Sequence, residues 1–214
     1  MTLAAADIPF EGSEHLVLDD VPWDVYEDLL RAIGDRPIRV TYFQGRLEIM
    51  SPLYTHEKWK KLLGRLVEMM TLELQLPLAS AGSTTFRRQE RKAGLEPDEC
   101  YYIQNAPAVL GKDRLELPAD PPPDLAVEVD ITRRSVPRQP IYAALGVPEL
   151  WRFDGKRLEF LKLNRSGKYV RIERSLAFGF LTPGDLQPFL DRVRAEDENA
   201  VIRSFQQWVR TLKP

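Results

Sequence analysis

The sequence predicts a mixed α/β domain built on a central sheet. Two observations carry this. Helical spacing and strand-like alternation follow one another along the whole chain rather than segregating into halves. An apolar strand, "DLAVEVDI" at 124–131, is followed by a helical stretch and then by more strands, so the elements need each other to form one sheet.

The elements follow in order. "VPWDVYEDLLRAIG" (21–34) has apolar residues at 25, 26, 29, 30 and 33, with Gly34 as a natural stop, and predicts a helix. "IRVTYFQGRLEIM" (38–50) alternates about Gln44-Gly45 and predicts a β-hairpin. In 51–76, apolar positions 59, 62, 63, 66, 69, 70 and 74 recur at three and four residues, which predicts the longest helix, starting near Thr55. Residues 78–89 read as extended, and a strand is expected over roughly 99 to 103. After the strand at 124–131, a short helix is expected over roughly 139 to 145, ending at Gly146. Residues 149–173 give two or three strands turning at Asp154-Gly155 and Ser166-Gly167. Two amphipathic helices close the chain, the last capped by Asp197 or Asn199. Residues 1–214 are read as one domain, with a short N-terminal tail over about 1–20.

Composition limits the function. The chain has 214 residues, 43% hydrophobic and 29% charged, an ordinary globular profile with enough chain for a sizeable core. A net charge of −2 gives no global basic field, so any nucleic-acid binding must come from local patches. One cysteine, Cys100, excludes an intramolecular disulfide framework and fits a reducing cytoplasm. No apolar run reaches the roughly 18 residues of a membrane span. Two histidines offer no Ser-His-Asp set, and no Cys/His zinc spacing or phosphate-binding glycine loop is present.

The chemistry concentrates in "PPPDLAVEVDITRR" (121–134). On a strand, Leu125, Val127, Val129 and Ile131 share one face, and Asp124, Ala126, Glu128 and Asp130 the other. Asp124 follows three prolines and suits a turn cap. Glu128 lies mid-strand in apolar surroundings, where a carboxylate needs a cation, a metal or water opposite it. Pro97-Asp98 heads the expected neighbouring strand, so Asp98 and Glu128 can converge. Such an oxygen-rich point suits Mg²⁺ or Mn²⁺.

Pro-Asp, a spacer and an acid on an apolar strand resemble the PD-(D/E)XK nuclease superfamily. "GLEPDECYYI", "PPDLAVEVDIT" and "PIYAALGVPELWRFDG" together resemble the Uma-two family of restriction-type endonucleases, over about residues 20 to 190. The resemblance implies a restriction-endonuclease-like fold, a bacterial source, a homodimer and DNA as substrate. It implies Asp98 and Glu128 as catalytic metal ligands, with the Val129 carbonyl, and Glu57 as a further ligand from the long helix. His56 is a candidate for phosphate or water. The lysine of the D/E-X-K triplet is absent: the triplet reads Glu128-Val129-Asp130, with Asp130 at the lysine position. Arg138, just before "PIYAALG", can supply charge, but it stays protonated and is a poor base. Arg133 and Arg134 are alternatives, and Tyr142 and Gln89 lesser candidates. Arg87, Arg88, Arg91 and Lys92 form a basic segment suited to a phosphate backbone. Two alternatives stand beside the metal-dependent endonuclease. One is a catalytically impaired binding or assembly protein on the same fold. The other is a metallohydrolase for a small phosphate ester.

Overall fold

The computed structural model describes residues 15–34, 36, 38–51, 53–82, 84–131 and 136–212. The elements are β1 (His15–Leu18), α1 (Trp23–Ile33), β2 (Arg39–Phe43), β3 (Arg46–Met50), α2 (Tyr54–Glu73), β4 (Ala79–Ser80), β5 (Phe86–Arg88), β6 (Ala93–Leu95), β7 (Glu99–Tyr102), α3 (Ala106–Val109), β8 (Leu125–Val129), α4 (Arg138–Leu145), β9 (Glu149–Phe153), β10 (Leu158–Leu163), β11 (Tyr169–Ile172), α5 (Pro183–Arg192) and α6 (Glu198–Thr211). The mixed α/β class and the long helix are as predicted.

Two sheets form rather than one. The larger runs β11-β10-β9-β8-β7-β4, and the smaller runs β1-β3-β2-β6-β5. Its strands are all antiparallel neighbours, whereas β8 and β9 in the larger sheet are parallel, joined through α4. The end of the expected tail supplies β1, which pairs with β3 along its full length. That strand carries no alternation strong enough to be read ahead of its partner.

Local chemistry explains the boundaries. Gln44 and Gly45 both take positive φ, +49° and +91°, the twist that a tight hairpin turn needs. Gly146 ends α4 in the left-handed region, its N–H reaching the carbonyls of Tyr142 and Ala143. Asp197 caps α6 by accepting from the Ala200 N–H at 3.0 Å, and Thr182 with Asp185 forms a capping box on α5.

The alternation of β8 sorts the core. Leu125, Val127 and Val129 join Leu62, Leu66 and Phe205 in one cluster under α2 and the C-terminal helices. Ala126 joins Cys100, Ile141, Tyr142 and Leu150 in a second, where α4 meets both sheets. A third holds Tyr26 of α1 against Val40, Tyr42 and Leu47 of the hairpin. In α6, Val201, Phe205 and Val209 are buried and Trp208 packs partly against the core. The apolar face of that helix is therefore largely covered within the chain.

Candidate active site

The site lies at the seam between the two sheets. In the antiparallel pairing of β7 with β8, Cys100 stands opposite Ala126. Two further steps along the same register put Asp98 opposite Glu128 on the same face. Both are buried. Helix α4 returns over this face, and its first two turns carry Arg138 and Tyr142, four residues apart and so on one side of the helix.

Asp98 is densely held. One oxygen accepts from the Val129 N–H at 2.7 Å and lies 3.1 Å from His56 Nε2. The other accepts from the Arg39 guanidinium. Arg39 also donates to Glu57 at 3.1 Å, and Lys60 lies 3.3 Å from the second Glu57 oxygen. Glu57 is the open member of the group, with a side chain 35% exposed. Burial works against the charge on Arg39, but Asp98 and Glu57 outweigh it and hold its pKa above the ordinary value.

Glu128 accepts from the Tyr142 hydroxyl. Burial first, then the Glu128 and Asp98 charges, push the phenol well above its usual pKa, so it remains a donor. Arg138 lies 3.8 Å from Glu128 and 3.8 Å from Glu48 of β3. Two arginines thus each span two carboxylates: Arg39 spans Asp98 and Glu57, and Arg138 spans Glu128 and Glu48.

The predicted residues divide. Asp98, Glu128, Arg138, Glu57 and His56 come together, with Val129 contributing its N–H to Asp98. Asp130 meets Arg152 of β9 at 3.0 Å. Asp124 is a turn cap, accepting from the N–H groups of Ile103 and Asn105. Arg88 pairs with Glu90 and reaches the Ala144 carbonyl. Arg87 is half-exposed and 4.0 Å from Glu27. With Gln89 and Glu96 it lines an open cleft of about 870 Å³ that reaches to two residues before Asp98. Arg133 and Arg134 lie outside the described residues.

Sequence reading missed Arg39, Glu48 and Lys60. Arg39 and Glu48 stand on the polar face of an alternating hairpin, the face that solvent ordinarily covers. Here the second sheet and α4 cover it. Lys60 lies four residues after His56 on α2, and that spacing was the available signal.

The donor chemistry suits a hard divalent ion, with carboxylate oxygens side by side on Asp98 and Glu128. Among the described residues, no group of three His, Cys, Asp or Glu side chains is placed to hold a metal. An ion at the pair would have two carboxylates and water, and the Arg39 guanidinium already stands on Asp98.

Known proteins agree with this fold. The model of the Uma2 family, described as "Putative restriction endonuclease", matches residues 23–190. A solved structure titled as a putative nuclease belonging to DUF820 from Anabaena variabilis superposes with a TM-score of 0.51 at 15% identity. The superposition covers 77% of this chain and 97% of that one. At that identity the likeness speaks for the fold. No curated protein matches the chain. Among the described residues, no helix is long and apolar enough to cross a membrane.

Proposed function

Since the chain belongs to the Uma2 family, we propose that it is a metal-dependent endonuclease that hydrolyses DNA phosphodiester bonds. The observation that carries the reading is the cross-strand placement of Asp98 and Glu128, two buried carboxylates with α4 over them. Asp98 and Glu128 would hold Mg²⁺ or Mn²⁺, with the Val129 carbonyl and water as further oxygens, while Glu57 holds Arg39 and Lys60. When bound, the ion supplies Lewis acidity toward a phosphate and a more acidic water.

The chain's own residues do the rest. Arg138 presents a fixed positive charge beside Glu128 and meets the negative charge that develops on the phosphate. Tyr142 keeps Glu128 oriented. His56 and the Val129 N–H orient Asp98. Arg87 and Arg88 meet the DNA backbone through charge, without reading sequence. Arg134 and Asp130 belong to the same proposal, as phosphate contact and as neighbour of the catalytic acid. A cytoplasmic location and a homodimer complete it; sedimentation at the expected dimer mass tests the latter.

The alternative, a nuclease fold that binds without cutting, is favoured by one observation. Asp130 stands where the D/E-X-K triplet has lysine, and Arg138, the cation beside Glu128, stays protonated. Supercoiled plasmid with Mg²⁺ or Mn²⁺ separates the two. Slow nicking that disappears with chelator supports the nuclease. Plasmid retained on the protein but never nicked supports the binding protein.

A further inference from the structure

Building on Asp98 and Glu128 as the cation site, we propose that Arg39 is the site's resident counter-ion and sets its affinity for divalent metal. An ion takes Asp98 as the guanidinium leaves it.

The geometry places Arg39 in direct competition. Its guanidinium lies on one Asp98 oxygen and bridges to Glu57 of α2. The other Asp98 oxygen already has the Val129 N–H and His56. A divalent ion therefore meets Asp98 where Arg39 stands.

Charge points the same way. A guanidinium and a divalent cation on the same Asp98 carboxylate repel each other, so an ion that takes Asp98 displaces Arg39. Arg39 has somewhere to go, because Glu57 opens to solvent and can keep the guanidinium.

Mn²⁺ titration of the full chain, read by the electron paramagnetic resonance of free Mn²⁺, tests this. Arg39→Met should bind Mn²⁺ about tenfold or more tightly than the wild type, in line with the coupling of close charge pairs. Arg39→Lys keeps the charge but meets one carboxylate at a time, so its affinity should fall between them. Arg39→Met removes the partner of a buried acid and its folding is at stake, so a second readout uses the wild type. The Arg39 Nε–H resonance should move to the position of a solvated arginine as Mg²⁺ saturates. Equal Mn²⁺ affinity in all three proteins, no Mn²⁺ binding in any, or a resonance unmoved at saturation overturns the proposal. Cleavage is scored separately: tighter binding by Arg39→Met without nicking keeps this inference and removes the nuclease reading. Nicking with unchanged affinity does the reverse.

Discussion

Arg138 and Glu128 face each other at 3.8 Å, from the first turn of α4 to the middle of β8. The same arginine reaches Glu48 at 3.8 Å and the sulfur of Met50 at 3.7 Å, so it is fixed from three sides. An arginine held this way supplies charge and does not take a proton. Arg138→Ala should lower the single-turnover cleavage rate by about 10²-fold, as for loss of one preorganised donor, without removing Mn²⁺ binding. Arg138→Lys should raise the rate, because lysine can act as a base. A rate unchanged by alanine would take Arg138 out of the chemistry.

Tyr142 gives the next expectation. Its hydroxyl donates to a buried oxygen of Glu128. Tyr142→Phe should cost about 1–3 kcal/mol in urea unfolding, the range for a hydrogen bond to a buried charged group. Since burial and the neighbouring acids hold the phenol protonated, no step near its ordinary pKa should appear in the cleavage-pH profile. An unfolding midpoint unaffected by the substitution would show that the bond contributes nothing net.

Glu149, on the other face of the larger sheet from Glu128, sets a pH dependence. It is fully buried on β9 and accepts from Trp151 Nε1 and the Ala177 N–H, each at 2.8 Å. Burial raises its carboxyl pKa above 4.5, with the hydrogen bonds opposing. The native state therefore holds a proton that the unfolded state has released, and stability falls as pH rises from 4.5 through the raised value. Glu149→Gln should flatten that fall. It should also lose about 1–3 kcal/mol on the acidic side, since one amide oxygen cannot serve both donors. Urea midpoints for the two proteins that run parallel across this window would contradict the assignment.

Gly94 and Tyr26 form a coupled pair. A Cβ at Gly94 of β6 would overlap the Tyr26 hydroxyl and crowd its ring. That hydroxyl is buried without a hydrogen-bond partner among the described residues. Gly94→Ala should destabilise by about 1–3 kcal/mol through overpacking. Tyr26→Phe should be near neutral alone and should recover part of the loss in the double variant. Strict additivity in thermal unfolding would deny the contact.

The legible parts of the structure were those written in local pattern. The two faces of β8, the length of α2, the Gln44-Gly45 turn and the Asp197 cap follow from alternation, spacing and turn chemistry, which need no partner to be read. The pairing of Asp98 with Glu128 was legible because a two-residue period carries each acid to a known face. The second sheet was not legible, because a register between strands distant in sequence leaves no local mark. For the same reason Arg39 and Glu48 read as a solvent face: what buries them is α4 and the larger sheet, more than forty residues away in sequence.

The most direct measurement is the single-turnover cleavage rate of wild type, Asp98→Ala, Glu128→Ala and the double variant, purified in parallel and assayed with Mn²⁺ on one supercoiled plasmid. If the two acids act as one unit at the seam, each single substitution removes essentially all cleavage and the double variant is no slower than either. A single variant that retains the wild-type rate, or losses that multiply in the double, would contradict a shared site at Asp98 and Glu128.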